Sequence, residues 1–409
     1  MTTPPEIRAK QGANLGGASA HNRRVVIDAL RVNGALSRAQ LARATHLTGQ
    51  TVSNIIADLE QERLVIADAP VRIARGQPAR PFRLNGAGAF AIGVQIDRHV
   101  TRAVAVDLLG SERVRLDARL PNGGPETGMP VVMQLVKDIR GALQDLNAQA
   151  DGRIVGLGLA MPGPFGQAAP QDADHWMMSA WQSHPISDDL AAETGLEVAV
   201  QNDAAAAATA EKLSGAARGI DDFAYLHFGY GLGAAIFVRG EIHAGSHRNA
   251  GEIGMARPGL SGPGLQEPIE HSVSLAALCR ELGIDPARPD LFDALDGAVA
   301  GGAADAWLQS AGEGLRWVVQ ILETLLDPET IVFGGAVPPA LLEALRARME
   351  PLLPSHAERP DRTIPRLTEG RADPWMVAIG AAAEPIARCF DPRFSAIQNV
   401  NRLGGSPSA

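Results

Sequence analysis

The chain has 409 residues, 45% of them apolar, and carries 37 Lys and Arg against 46 Asp and Glu for a net charge of −9. That length accommodates two or three globular domains; with no apolar signal stretch at the start and no run of about 18 uncharged apolar residues, secretion and membrane spanning are not expected, which leaves the cytoplasm as the expected compartment. Two cysteines, Cys279 and Cys389, are too few for a disulfide framework or a thiolate zinc site, and both are read as reduced, buried thiols.

Residues 1–20, rich in Gly, Ala, Pro and Thr, are expected to form a frayed arm. A helix is predicted from His21, with Val25, Ile27, Leu30 and Val32 facing a core and Asn33-Gly34 ending it. Ser37 is the expected N-cap of a second helix reaching Thr45, with Leu41 and Ala44 inward, and residues 47–50 form a short turn around Gly49. The third helix runs to about Glu62. Val52, Ile55, Ile56 and Leu59 form its buried stripe, which turns Gln50, Thr51, Ser53, Asn54 and Asp58 outward. Two short strands, 64–66 and 82–84, flank a loop over 72–80, giving residues 21–85 the layout of a winged helix-turn-helix.

The first 85 residues carry twelve Lys and Arg against six Asp and Glu, so the remaining 324 hold 25 basic and 40 acidic residues, a balance of −15. A cationic module on an anionic body concentrates a polyanion at one end, and nucleic acid is the partner this predicts. Asn and Gln pair bidentately with adenine and Ser or Thr bonds bases or phosphates, so Gln50, Thr51, Ser53 and Asn54 suit a major groove. Arg38, with Arg23, Arg24 and Arg43 around it, suits phosphate contacts, and the narrow wing core Arg75-Gly76-Gln77 suits a minor groove. A protein-contact module with a solvated basic face is the plainer alternative.

From Ala89 onward β-rich segments alternate with helical ones. Residues 89–96 and 101–110 read as an antiparallel pair, 129–146 as a helix, and 154–163 as a buried strand opening into a loop. A second series starts near Leu196 with a strand, an alanine-rich helix, two more strands, several helices and the strand Thr330–Gly335, so the fold class is α/β with two lobes. The glycine and alanine tract at 298–306 is expected to link helices at the surface, and 396–409 to be a flexible tail.

Five short motifs occur in order: Pro162-Gly163-Pro164, Gln201-Asn202-Asp203-Ala204-Ala205-Ala206, Gly229-Tyr230-Gly231-Leu232-Gly233-Ala234, Gly251-Glu252-Ile253-Gly254, and Asp327-Pro328 leading to a strand that ends in Gly334-Gly335. Each is weak alone. With the helix-turn-helix in front of them, they resemble the ROK family of sugar kinases and sugar-responsive repressors over residues 21–390. The resemblance implies an actin-like fold whose lobes close on a cleft: a first lobe over 86–200, completed by a helix within 375–395, and a second over 201–374 with the cleft and a dimer surface. It implies that Asn202 and Asp203 hold sugar hydroxyls, Asp203 standing at the kinases' general-base position, that Glu252 and Glu270 are further sugar-contacting carboxylates, and that Gly163 lines the same cleft. The chemistry agrees, because a carboxamide beside carboxylates offers vicinal hydroxyls both a donor and acceptors. Asp203 as a helix N-cap and Glu252 as a surface loop residue remain the plainer alternatives.

Departures from the family pattern bear on activity. The kinases open the first lobe with an Asp-x-Gly-Gly-Thr turn that cradles phosphate, whereas here Gln95 replaces the metal-serving Asp and the side chains of Asp97, Arg98 and His99 fill a turn that needs bare backbone. Tyr230 stands where the kinases have a small hydroxyl residue, so Gly229–Gly231 reads as a hairpin turn and ATP is not expected. Met255 takes the place of the family's zinc-binding histidine and residues 259–269 hold no cysteine, so zinc is not expected either. The sequence predicts a transcriptional repressor, a homodimer or homotetramer, with operator DNA and a sugar or polyol effector as partners. The alternative is an active ATP-dependent sugar kinase with an appended DNA-binding domain.

Overall fold

The structure is a computed structural model that describes residues 15–70, 80–121, 124–165, 178–258 and 267–392. The chain divides into two compact units, one running to Gly88 and resuming at Ile386, the other spanning Ala89–Pro385.

The first unit contains α1 (Leu15–Asn33), β1 (Leu36–Ser37), α2 (Arg38–Thr45), α3 (Gly49–Gln61), β2 (Val65–Ala67) and β3 (Pro81–Leu84). The apolar stripes of the three helices meet the small sheet, ordered β1-β3-β2, and bury Val26, Ile27, Leu30, Leu41, Val52, Ile56, Leu59, Phe82 and Leu84. Local chemistry sets the helix ends. Gly34, at φ +74°, donates its N–H to Leu30 O and stops α1, while Ser37 and Gln40 form a reciprocal capping box at the start of α2. Thr48 caps α3 by accepting from Thr51 N, so Gly49 and Gln50 belong to the helix and not to a turn before it.

Several readings of this unit need correction, and one strand was not anticipated. α1 begins at Leu15, six residues before His21, because adding a turn to a helix already anchored by packing gains hydrogen bonds without a new nucleation cost. Val32 is 65% exposed and Ala44 is exposed as well, since the buried set Val26, Ile27 and Leu30 follows the 3.6-residue period and leaves Val32 opposite it. β1 carries no sequence signal of its own and exists through its register with β3, Leu36 opposite Phe82 and Ser37 opposite Pro81. Cys389 is exposed, while Cys279 is buried as expected.

The second unit contains β4 (Phe90–Ile96), β5 (Val100–Asp107), β6 (Glu112–Arg119), α4 (Pro125–Leu146), β7 (Ile154–Met161), α5 (Met178–Ser183), α6 (Ile186–Thr194), β8 (Val198–Asn202), α7 (Asp203–Ser214), β9 (Phe223–Phe228), β10 (Leu232–Val238), β11 (Glu241–Ile242), α8 (Leu275–Leu282), α9 (Leu291–Ala300), α10 (Asp305–Leu326), β12 (Thr330–Gly335), α11 (Pro339–Met349) and β13 (Leu367–Ala372), and most of α12 (Met376–Phe390). Its two five-stranded sheets have the same plan. In β6-β5-β4-β7-β8 and in β11-β10-β9-β12-β13, an antiparallel three-stranded meander is followed by two parallel strands added on the other side of its first strand. β8 pairs in parallel with β7, Leu159 opposite Val200, and so closes the first sheet; the series read as starting near Leu196 starts a sheet later, at β9.

Small residues bring the layers together. The buried alanines of α7 and α12 let these helices approach almost backbone to backbone, and a Cβ on Gly380 would fall 1.6 Å from Ala206 O. β7 meets α12 as closely, a Cβ on Gly158 falling 1.8 Å from Ala381 O. No helix among the described residues is long and apolar enough to cross a membrane.

Candidate functional site

On the first unit, Gln50 and Asn54 are one turn apart on α3, both exposed, and joined by a bond from Gln50 Nε2 to Asn54 Oδ1 of 2.9 Å. Thr51 and Ser53 are half-buried and partly engaged by their own helix, Thr51 with the Thr48 hydroxyl at 2.8 Å and Ser53 donating to Gly49 O at 2.8 Å. Several of the basic residues are committed within the unit. Arg38 stacks over Phe82 at 4.5 Å and lies 3.7 Å from Glu60, Arg23 is paired with Glu62, Arg24 donates to Cys389 O, and Arg83 pairs with Asp68 at 2.8 Å. Arg43 and Arg80 are exposed. The wing residues Arg75, Gly76 and Gln77 lie outside the described residues.

In the second unit a cleft of about 600 Å³ is lined by Gly163, Asn202, Asp203, Glu252 and Glu270, a size within the range of roughly 300–1,000 Å³ usual for ligand sites. Asn202 ends β8 and caps α7, its Oδ1 accepting from Ala205 N at 2.7 Å. The N-cap role considered for Asp203 therefore belongs to its neighbour, which has the extended backbone a cap requires, and Asp203 is the first residue of α7. Glu252 is aimed across the cleft because a Cβ on Gly163 would lie 2.3 Å from its Oε1; the bare glycine makes the room. Glu270 comes equally close to Gly231 and Gly254, where a Cβ would be 3.0 and 3.1 Å from its Oε2.

Burial shifts two of these acids toward the protonated form. Burial, with Glu270 adding to it and a hydrogen bond from Asn202 opposing, pushes Glu252 up to about 7. Asp203 is raised well above the ordinary carboxylate range by burial and then by Asp97, against the pull of Arg98, Gln95 and Arg102, and its Oδ1 is sealed from solvent without a partner. A protonated carboxyl donates where a carboxylate accepts, so the constellation offers hydroxyl groups both kinds of partner.

At the other end of the cleft the β4–β5 turn meets the β9–β10 turn. Asp97 pairs with Arg98 at 3.3 Å, the Arg98 guanidinium lies 4.4 Å over the Tyr230 ring, and the His99 ring meets Tyr230 edge-on at 6.4 Å. Gly229 N donates to Gly231 O, and Phe228 pairs with Leu232, so the glycine run is a hairpin turn as its sequence suggests. The cleft also takes in Arg102, His227 and residues 286–293, none of which the sequence singled out. The register of β4 with β5 sets Arg102 directly opposite Gln95, and alternation along β9 puts His227 two residues before Gly229. Residues 286–293 carry no comparable signal. The groups present do not fit zinc: Met255 offers a thioether and is 37% exposed, and no three His, Cys, Asp or Glu among the described residues converge on a metal position.

Comparison with known proteins places these features. The ROK family model matches residues 91–383, and the MarR family model matches residues 25–72. The chain is 27% identical over 375 residues to the uncharacterized protein y4fQ of Sinorhizobium fredii, covering 90% of this chain and 91% of that one. It is 22% identical over 342 residues to the xylose repressor of Bacillus spizizenii, covering 80% and 86% of the two chains. Its fold matches the crystal structure of a ROK family transcriptional regulator, a homolog of the E. coli MLC protein, with a TM-score of 0.70 and 22% identity over 94% of this chain and 99% of that one. Sugar kinases are also among its relatives. With the family's model covering most of the chain and the two-sheet architecture matching, the protein belongs to the ROK family.

Proposed function

We propose that this ROK-family protein is a transcriptional regulator, a repressor, that binds operator DNA through its first unit and answers to a sugar or polyol held by Asn202, Asp203, Glu252 and Glu270 beside Gly163. The observation that carries the reading is the coexistence in one chain of a MarR-type helix-turn-helix with Gln50 and Asn54 exposed on α3 and a cleft where a carboxamide stands among buried carboxyl groups. The effector acts only through its preference for one arrangement of the protein, so its differential affinity bounds the change in DNA binding. A homodimer or homotetramer is part of the proposal, and two symmetric heads require a palindromic operator with half-sites about one helical turn, or a multiple of it, apart.

The lining of the cleft supports a reading without a nucleotide. The metal-serving carboxylate is replaced by Gln95, 1% exposed and tied to Arg102 at 3.3 Å, and the Asp97-Arg98-Tyr230 stack fills the space between the turns that would cradle phosphates. These features argue against kinase activity and for a sensor. Selection from a random duplex library on the intact protein, followed by release assays with a sugar and polyol panel, tests the proposal. The expected result is an enriched palindrome whose binding one panel member changes by more than tenfold. Failure of any duplex to enrich, or sugar-dependent ATP turnover above background, refutes it.

A further inference from the structure

The cleft runs on past the four groups suited to hydroxyls, to Gln95, Arg102, His227, Ala336 and Pro374. Two side chains there have capacity to spare. Arg102, half-buried on β5, donates to Gln95 Oε1 at 3.3 Å and lies 5.9 Å over the Trp375 ring; among the described residues no carboxylate comes within ion-pair distance of it. The other guanidiniums along the cleft are compensated or capped, Arg98 by Asp97 at 3.3 Å, Arg288 by Asp290 at 2.6 Å, and Arg119 by Ala287 O. His227 is 8% exposed, and its Nδ1 has no hydrogen-bond partner.

We propose that the effector is an anionic polyol, a sugar or sugar alcohol bearing a carboxylate or a phosphate, with its hydroxyls at Asn202, Asp203, Glu252 and Glu270 and its charged group at Arg102, His227 lining the same cleft. The inference rests on the polyol reading of the same cleft and deepens it. A guanidinium drawn partly out of water without an anion gains a charge-assisted, forked pair of hydrogen bonds when one arrives, and this geometry matches carboxylate and phosphate alike. Burial pushes His227 down to about 4, so the ring is neutral at physiological pH and supplies one donor or one acceptor according to tautomer. A single anionic group avoids the obstacle a triphosphate meets, because it needs neither the turn filled by Asp97, Arg98 and His99 nor a metal ion. The three acids of the hydroxyl site do not repel it outright, since burial keeps Asp203 and Glu252 inclined to hold their protons.

The test is isothermal titration of the intact protein with matched sets of ligands: neutral sugars and sugar alcohols, the corresponding uronates and aldonates, and the corresponding sugar phosphates, at two salt concentrations. At least one carboxylate or phosphate is expected to bind ten times tighter than its neutral parent, with the advantage shrinking at high salt; which of the two series responds identifies the anionic group. Arg102→Gln is expected to bring the ratio of the two affinities close to one, and Arg102→Lys, which keeps the charge but loses the fork, to leave an intermediate ratio. Neutral parents binding as tightly as every charged derivative would overturn the anion site while leaving the polyol site standing. If no neutral or charged member binds, both fall together.

Discussion

Replacing Glu252 with Gln should stabilise the protein at alkaline pH and leave it unchanged at acid pH. Glu252 rises from an ordinary 4.5 to about 7 because burial and the neighbouring Glu270 both penalise its charge. Below pH 4.5 the folded and unfolded chains both hold this proton and the group contributes nothing. Between 4.5 and 7 the unfolded chain has released the proton and the folded chain has not, so stability falls as pH rises; above 7 the full cost is in place and the slope vanishes. At about 1.4 kcal/mol for each pH unit the cost reaches about 3 kcal/mol. The Gln side chain has the shape of the protonated acid and keeps an oxygen to accept from Asn202, so the variant escapes the cost without losing the contact. Thermal melts of both proteins from pH 4 to 8.5 provide the assay, and the difference in Tm should grow from near zero to roughly 5–10 °C for a unit of this size. A difference independent of pH, or one favouring the natural residue at pH 8.5, would refute the placement of a desolvated carboxyl beside Glu270.

Three further outcomes follow from specific contacts. Gly158→Ala puts a methyl group 1.8 Å from Ala381 O, a backbone atom, so α12 must shift; a loss of about 1–3 kcal/mol or more is expected, read as a lower Tm, and an unchanged melt would show that α12 is free to move. Arg366 binds Glu323 through two bonds of 2.8 Å, with Glu323 1% exposed, so Glu323→Ala leaves a mostly buried guanidinium with exposed Glu358 at 3.2 Å as its remaining ion-pair partner and should cost about 3 kcal/mol, whereas the double variant Glu323→Leu with Arg366→Met should recover most of that loss in the same melts. Asn54→Ala removes an exposed amide from α3 and its bond to Gln50; operator affinity should drop by about 1–3 kcal/mol in fluorescence anisotropy with non-specific binding unchanged, while an equal drop on both would assign Asn54 to the backbone instead of the bases.

Most of the helix-turn-helix was legible because its signals are local. Ser37 as an N-cap, Gly34 after Asn33, and the spacing of Val52, Ile56 and Leu59 each act within a turn or two of chain, and the structure puts these caps and stripes where their chemistry requires. The motif residues of the cleft were legible in a different way. Asn202, Asp203 and Glu252 stood out in ordered motifs and Glu270 through the family resemblance alone, and they line one cavity although the first and last are 68 positions apart.

What resisted reading were choices made between distant segments. A strand-helix-strand rhythm looks the same on either side of Leu196, and only the pairing of β8 with β7 assigns it to the first sheet. β1 is two residues long and is a strand only because β3 lies beside it. Arg102 is an ordinary strand arginine until β4 pairing sets Gln95 opposite it and the fold makes it part of the cleft, and His227 becomes a cleft residue only when β9 stands at the centre of its sheet. Caps, periodicity and turn chemistry are written in neighbouring residues because their hydrogen bonds close over three or four positions. Sheet membership, burial and the sharing of charge depend on contacts between whole elements, many of them tens of residues apart, and those energies exist only once the chain has folded.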